Sequence, residues 1–265
     1  MTEPSIAEAP TTSRDGRVRW YDLIIAFVGG NIVGVIGLVL AGVAALLIAR
    51  NYGVKVGSQQ DLAALANSLQ TNFWAIHVSV VVSDLCVLAA VWFVAWRRFA
   101  HPFGVFFPPV GLGTILLAAA SGAGLSILLN GSNELLAHSG WVHITDLPSE
   151  LALVPHGAAQ IAGTIAVVAL FAPFVEEYFF RGLFFAWAKR WGTAFAVTIT
   201  ALVFALVHGH LFIHPGVQGW LYSFELFLAG VVLALWVVRT GSLRTSFATH
   251  AAYNATAILF TVLVP

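Results

Sequence analysis

Residues 158–180 read AAQIAGTIAVVALFAPFVEEYFF, an apolar run that ends in two adjacent acids and is followed at once by Arg181 and Gly182. About 20 apolar residues suffice for a helix to cross the hydrocarbon core of a bilayer. This stretch is therefore read as a membrane span, with Glu176, Glu177 and Arg181 near one end. Six further apolar stretches surround it, at 21–49, 73–96, 110–130, 194–208, 219–238 and 246–264. The expected fold is an all-α, polytopic transmembrane helical bundle of seven spans, or eight if residues 101–109 dip into the bilayer as a re-entrant segment.

Composition supports the same class. Of 265 residues 59% are apolar and 9% charged, and the mean hydropathy is +0.89. Soluble domains carry roughly a quarter charged residues. Twelve basic and twelve acidic residues cancel, which argues against nucleic acid as a partner, because duplex binding needs a basic surface. Cys86, the single cysteine, supports neither a disulfide framework nor a cysteine-built metal cluster. The expected partners are the lipid bilayer and a membrane-associated peptide or protein substrate.

Residues 1–19 lack the basic start and apolar run of a signal peptide and are expected to form a disordered cytoplasmic tail. Residues 20–157 are expected to supply N-terminal membrane helices, and 158–265 a core that carries the chemistry. With the N-terminus inside, Arg14, Arg17, Arg19, Arg97, Arg98, Lys189, Arg190, Arg239 and Arg244 fall on the cytoplasmic side. Arg50 and Lys55 fall outside, as do Glu134, Asp146 and Glu150 in the loop 131–156. This is a positive-inside pattern. Ten arginines against two lysines, with abundant Ala, Val and Gly, fit a GC-rich bacterial coding sequence, and hence the cell inner (plasma) membrane.

Ionisable residues within the spans are Asp84, Glu176, Glu177, Arg181, Glu225, His77, His208 and His250. A charge at the bilayer centre costs at least about 2.5–3.5 kcal/mol, so such residues face the bundle interior and mark a task. Three spaced pairs stand out. Glu177 and Arg181 are four apart and share a helix face in the favourable acid-before-base order. Glu176 is turned about 100° away and has no sequence-local cation, which sets it apart as a candidate general base. Pro173 cannot donate to the Ala169 carbonyl, so a bend is expected just before the acids.

Phe204 and His208 repeat the four-residue spacing one span later, with the ring placed to wall the imidazole. Glu176 lies sixteen residues before the turn at Gly192 and His208 sixteen after it. Equal offsets in an antiparallel hairpin mean equal depth, about 24 Å along each helix. His250 and Asn254 form the third pair, whose N–H groups can hold a developing oxyanion. His250 is only nine residues past Gly241, about 13 Å deep. Either residues 181–190 lie along the interface or helix tilt absorbs the mismatch. The acid, both imidazoles and the amide are expected to meet in one hydrated pocket beneath the inner leaflet.

Glu-Glu-x-x-x-Arg (Glu176, Glu177, Arg181), Phe-x-x-x-His (Phe204, His208) and His-x-x-x-Asn (His250, Asn254), in that order on successive spans, resemble the CAAX protease and bacteriocin-processing (CPBP) family of intramembrane glutamate endopeptidases. The resemblance covers roughly residues 158–258. It implies a metal-independent peptidase without a cofactor, similar to type II CAAX prenyl proteases. In that reading Glu176, assisted by His208, activates water. His250 and Asn254 stabilise the tetrahedral intermediate, Glu177 with Arg181 braces the base, and Phe204 packs.

Other intramembrane chemistries lack their motifs. There is no His-Glu-x-x-His for zinc, no Gly-x-Gly-Asp with a second membrane aspartate, and no Gly-x-Ser-Gly. Asp84 and Glu225 stand alone. His208, His210, His214 and Glu176 leave a zinc site open as a minor alternative. Two non-enzymatic alternatives are a catalytically silent immunity or scaffold protein of the same family, and a transporter using Glu176 and His208 as a proton relay. The transporter lacks the paired halves expected of that class.

Overall fold

Extended apolar sequence favours long helices, because a chain in lipid must satisfy its backbone internally. A computed structural model describes residues 16–51, 58, 60–61, 72–140, 155, 157–214 and 216–263, and among these there is no strand. Arg14, Lys55, Asp146, Glu150 and residues 1–15 of the expected tail lie outside the described residues, as does the side chain of Arg50.

Helix α1 comprises Trp20–Leu23 and Gly30–Asn51, joined by a wide π-turn at Ile24–Gly29. It is followed by α2 (Phe73–Arg98), the short α3 (Pro102–Phe106), α4 (Leu112–His138) and α5 (Ala158–Trp191). Then come α6 (Thr193–Val207), the one-turn α7 (His210–Ile213), α8 (Val217–Thr240) and α9 (Leu243–Leu263).

Among the described residues six helical segments are long and apolar enough to cross a membrane, and the chain is a multi-pass membrane protein. The last expected span, α9, is a helix of 21 residues but is not among the six. The reason is its inward face, where Thr245, Ser246, Thr249 and His250 are all buried. The segment 101–109 does not add a crossing, since α3 is five residues long and rises only about 8 Å.

One end of the bundle is tied together by polar contacts. Arg98 donates to Asp22 (Nε to Oδ2, 2.8 Å), and the Gly16 N–H bonds the Arg98 carbonyl. Residues 16–19 are thus docked, with Val18 buried. At the same end Arg244 Nε donates to the Phe107 carbonyl (3.0 Å) and Ser242 Oγ to that of Pro108 (2.9 Å). Gly241, with φ +68°, ends α8 in the left-handed region that suits glycine. The sharp reversal sends α9 back along α4, where Gly122 lets the helices touch. A Cβ at Gly122 would stand 2.0 Å from the Thr249 carbonyl oxygen.

Candidate active site

Helix α5 is not a uniform α-helix. Two π-turns, Ile165–Phe171 and Tyr178–Phe184, flank the short α-helical piece Ala172–Glu177. The first explains how the chain accommodates Pro173. The Ala172 N–H reaches back five residues to the Val167 carbonyl, and Pro173 has no N–H to offer. The Val168 carbonyl is thereby released from the helix ladder. It accepts instead from Asn254 Nδ2 on α9, at 2.8 Å. The bend expected at the proline is a change of hydrogen-bond register, and it supplies the anchor for one of the candidate residues. Wide turns of this kind recur at functional sites.

Glu177 is the buried hub. Its side chain is 1% exposed and collects three donors. Arg181 Nη1 (3.0 Å) and His250 Nδ1 (2.9 Å) both reach Oε1, and Ser246 Oγ reaches Oε2. Arg181 also donates through Nη2 to the Gly230 carbonyl (3.2 Å). Its guanidinium lies over the Phe204 ring, 4.4 Å from the centroid. A buried arginine needs this kind of saturation, because leaving either charge unpaired inside the bundle costs several kcal/mol.

Glu176 is 28% exposed and faces a cavity of about 1060 Å³, which His208, His250 and Asn254 also line. One residue of helical phase therefore separates a sealed acid from an accessible one. Glu176 Oε2 stands 3.7 Å from His250 Nε2. His250 thus bridges the two acids. Because its Nδ1–H points at Glu177, Nε2 is the acceptor in the neutral ring. His208 has a fixed tautomer for a similar reason. Nδ1 donates to the Phe204 carbonyl at 2.6 Å, which leaves Nε2 as the acceptor nitrogen.

Phe180 and Phe204, each twelve residues from Gly192, meet edge-to-face at 5.3 Å. The hairpin register inferred from equal offsets is therefore present. Phe204 is 1% exposed and also packs on His208 (4.5 Å) and His250 (5.6 Å). The apparent depth mismatch of His250 has a simple origin. Gly182 sits against Leu243 and Phe106, so α5 runs on as helix past the start of α9. Residues 181–190 continue that helix through Trp191. The cavity also differs from the expected position. It extends from Glu176 towards Glu134, Pro155, Gly157 and Val262, the bundle end opposite Lys189–Trp191.

Three features escaped the sequence reading. Ser246 sits one turn before His250, so the stripe Ser246, His250, Asn254 was available as an i, i+4, i+8 pattern. Asp84, read as solitary, lines the cavity with Glu176 and His208. The Val168 carbonyl had no readable signal beyond Pro173. His210 and His214 stack at 5.5 Å, and among the described residues no group of three His, Cys, Asp or Glu side chains is arranged to hold a metal ion.

A protein-family model described as Type II CAAX prenyl endopeptidase Rce1-like matches residues 158–256. This segment is similar to the Rce1-like family. No curated protein and no solved structure matches the chain. The Rce1-like segment runs from α5 into α9 and contains Glu176, Glu177, Arg181, Phe204, His208, Ser246, His250 and Asn254. Rce1-like proteins are proteases, so the match supports an intramembrane CAAX endopeptidase-type function in general terms. Helices α1–α4 and Asp84 lie outside the Rce1-like match.

Proposed function

We propose that the protein is a metal-independent intramembrane glutamate endopeptidase that hydrolyses a peptide bond of a membrane-associated protein or peptide. Glu176 and His208 each offer an acceptor to the cavity. A water between them donates one hydrogen to each, with a lone pair left for the scissile carbonyl. As the C–O bond forms, Glu176 takes the water's proton and later gives it to the departing amide nitrogen. Asn254 keeps one N–H on Val168 and has a second to aim at the developing oxyanion. When the His250 ring carries both protons, Nε2 joins it as a donor. Glu177, held by Arg181 and Ser246, orients His250 in the manner of a carboxylate behind a catalytic imidazole.

The observation that carries this reading is the paired acids on one imidazole. Glu177 fixes Nδ1 at 2.9 Å while cavity-facing Glu176 stands 3.7 Å from Nε2. The cell inner membrane, with the N-terminus cytoplasmic, is the proposed location. The test is turnover of membrane-anchored peptides by purified protein. Glu176→Gln should lower kcat by about 10²–10⁴-fold while the protein remains folded and still binds peptide. Unchanged turnover in the folded variant would overturn the assignment, and so would loss of turnover on chelation.

A further inference from the structure

Glu176 and His208 are reached from two sides. The large cavity runs from them towards Glu134, Pro155 and Val262. A second chamber, of about 200 Å³, shares Asp84, Glu176 and His208 with the first. Its remaining wall is Asn31 on α1 together with apolar residues, among them Val87 on α2 and Phe179 and Phe180 on α5. Val87 is nearer Arg98 than Asp84 is, and Phe179 and Phe180 are nearer Lys189 than Glu176 is. The two spaces therefore extend from the candidate acid towards opposite ends of the bundle.

The packing of α1 gives Asn31 no task. It is the single polar side chain in residues 23–49, and polar groups within a span are costly and mark a function. Their common structural use is a hydrogen bond to another helix. Asn31 makes none, because its Nδ2 donates to the Phe27 carbonyl of its own helix at 2.8 Å. That bond fixes the amide and leaves its oxygen and second N–H on a residue that lines the chamber. Helix α1 is shaped to put it there. The π-turn at Ile24–Gly29 ends just before Asn31, and Gly30 and Gly34 seat the helix against Val87 and Ser83 of α2.

Size and polarity select the occupant. A water molecule takes about 30 Å³ in the liquid and needs roughly two to four polar partners at a buried site. The chamber has room for several waters and is too small for a peptide segment. Asn31, Glu176 and His208 supply the partners. Hydrolysis consumes one water for every bond cut, and a peptide lying in the large cavity covers Glu176 from that side.

We propose that the small chamber holds the hydrolytic water and delivers it to Glu176 and His208 from behind the bound peptide, with Asn31 as the positioning residue. Delivery rests on the peptidase reading above; hydration of the chamber does not.

Hydration is read without activity. Full-length protein in phosphatidylcholine nanodiscs is exposed to X-ray pulses, which make hydroxyl radicals from water in place, and oxidised side chains are mapped by mass spectrometry. Phe179 and Phe185 are equally buried, each 5% exposed, but Phe185 lines neither space and is nearer Lys189. Phe179 and Phe180 should be oxidised several-fold more than Phe185, and Asn31→Leu should remove the excess. With membrane-anchored peptides, Asn31→Leu should lower kcat by about 10- to 100-fold and leave KM unchanged. Asn31→Gln, which keeps an amide, should retain most of the turnover.

Oxidation of Phe179 and Phe180 no greater than that of Phe185 would overturn the proposal, and this measurement needs no variant to fold. Full turnover by Asn31→Leu, or a loss expressed in KM alone, would overturn the role of Asn31. Excess oxidation without cleavage by the unsubstituted protein sinks the peptidase reading and the delivery with it, leaving a hydrated chamber. Cleavage without excess oxidation sinks this inference alone.

Discussion

Helices α1 and α5 are both long and apolar, yet they use that character in opposite ways. Along α1, Val33, Val39, Leu40 and Leu47 are all more than half exposed, and in that stretch glycines bring the backbone against α2. A Cβ at Gly30 would stand 2.7 Å from Val87 Cα, and one at Gly34 3.1 Å from Ser83 Cα. Along α5, residues from Val175 to Phe185 are buried, apart from Glu176. The lesson is that hydrophobicity marks both as spans but ranks neither as core. Lipid tails are as apolar as leucine, so burial in a membrane bundle follows small-residue packing and polar contacts instead.

That contrast can be broken most severely at the site. His250→Ala should reduce peptide turnover by about 10²–10⁴-fold, because it removes the group shared by Glu176 and Glu177. Val39→Ala in α1, whose side chain is 59% exposed, should leave turnover unchanged. Equal losses in the two variants would erase the distinction between the regions.

Arg181→Ala comes next. It strips Glu177 of its guanidinium partner in a buried setting, and breaking such a pair costs about 3–5 kcal/mol. Denaturant unfolding in detergent should register that loss. Gly122→Ala should destabilise by about 1–3 kcal/mol through overpacking. It should also lower turnover, since the displaced Thr249 precedes His250. A neutral result there would mean that α4 does not set the position of α9. The smallest effect is expected at Gly37→Ala in α1, where a Cβ meets nothing within 4 Å. Better helix propensity should then stabilise by no more than about 1 kcal/mol, read from the same unfolding curves.

Much of the site was readable because helical periodicity is rigid. The four-residue spacings placed Glu177 with Arg181 and Phe204 with His208, and the 100° step set Glu176 apart from Glu177. The equal offsets from Gly192 also gave the hairpin register, as the Phe180–Phe204 contact shows. Partnerships between distant helices were less accessible. The offsets pointed Glu176 at His208, whereas the structure puts His250 within 3.7 Å of it. Nothing in the spacing of α9 shows that His250 turns one nitrogen to each acid. Ser246 was missed because a serine in a span is unremarkable until an acid is seen beside it.

The amino-acid sequence by itself determined the helical membrane class, the approximate spans and the side chains that share each helix face. These follow from local rules, namely the length needed to cross a bilayer and the 3.6-residue turn. Tertiary structure decided which faces meet. It joined the carbonyl freed by Pro173 to Asn254, set His250 between two carboxylates, drew Asp84 from α2 to the cavity of Glu176, and lined that cavity with acids. Such outcomes depend on how helices far apart in the chain pack together, and no repeat within a single helix encodes that.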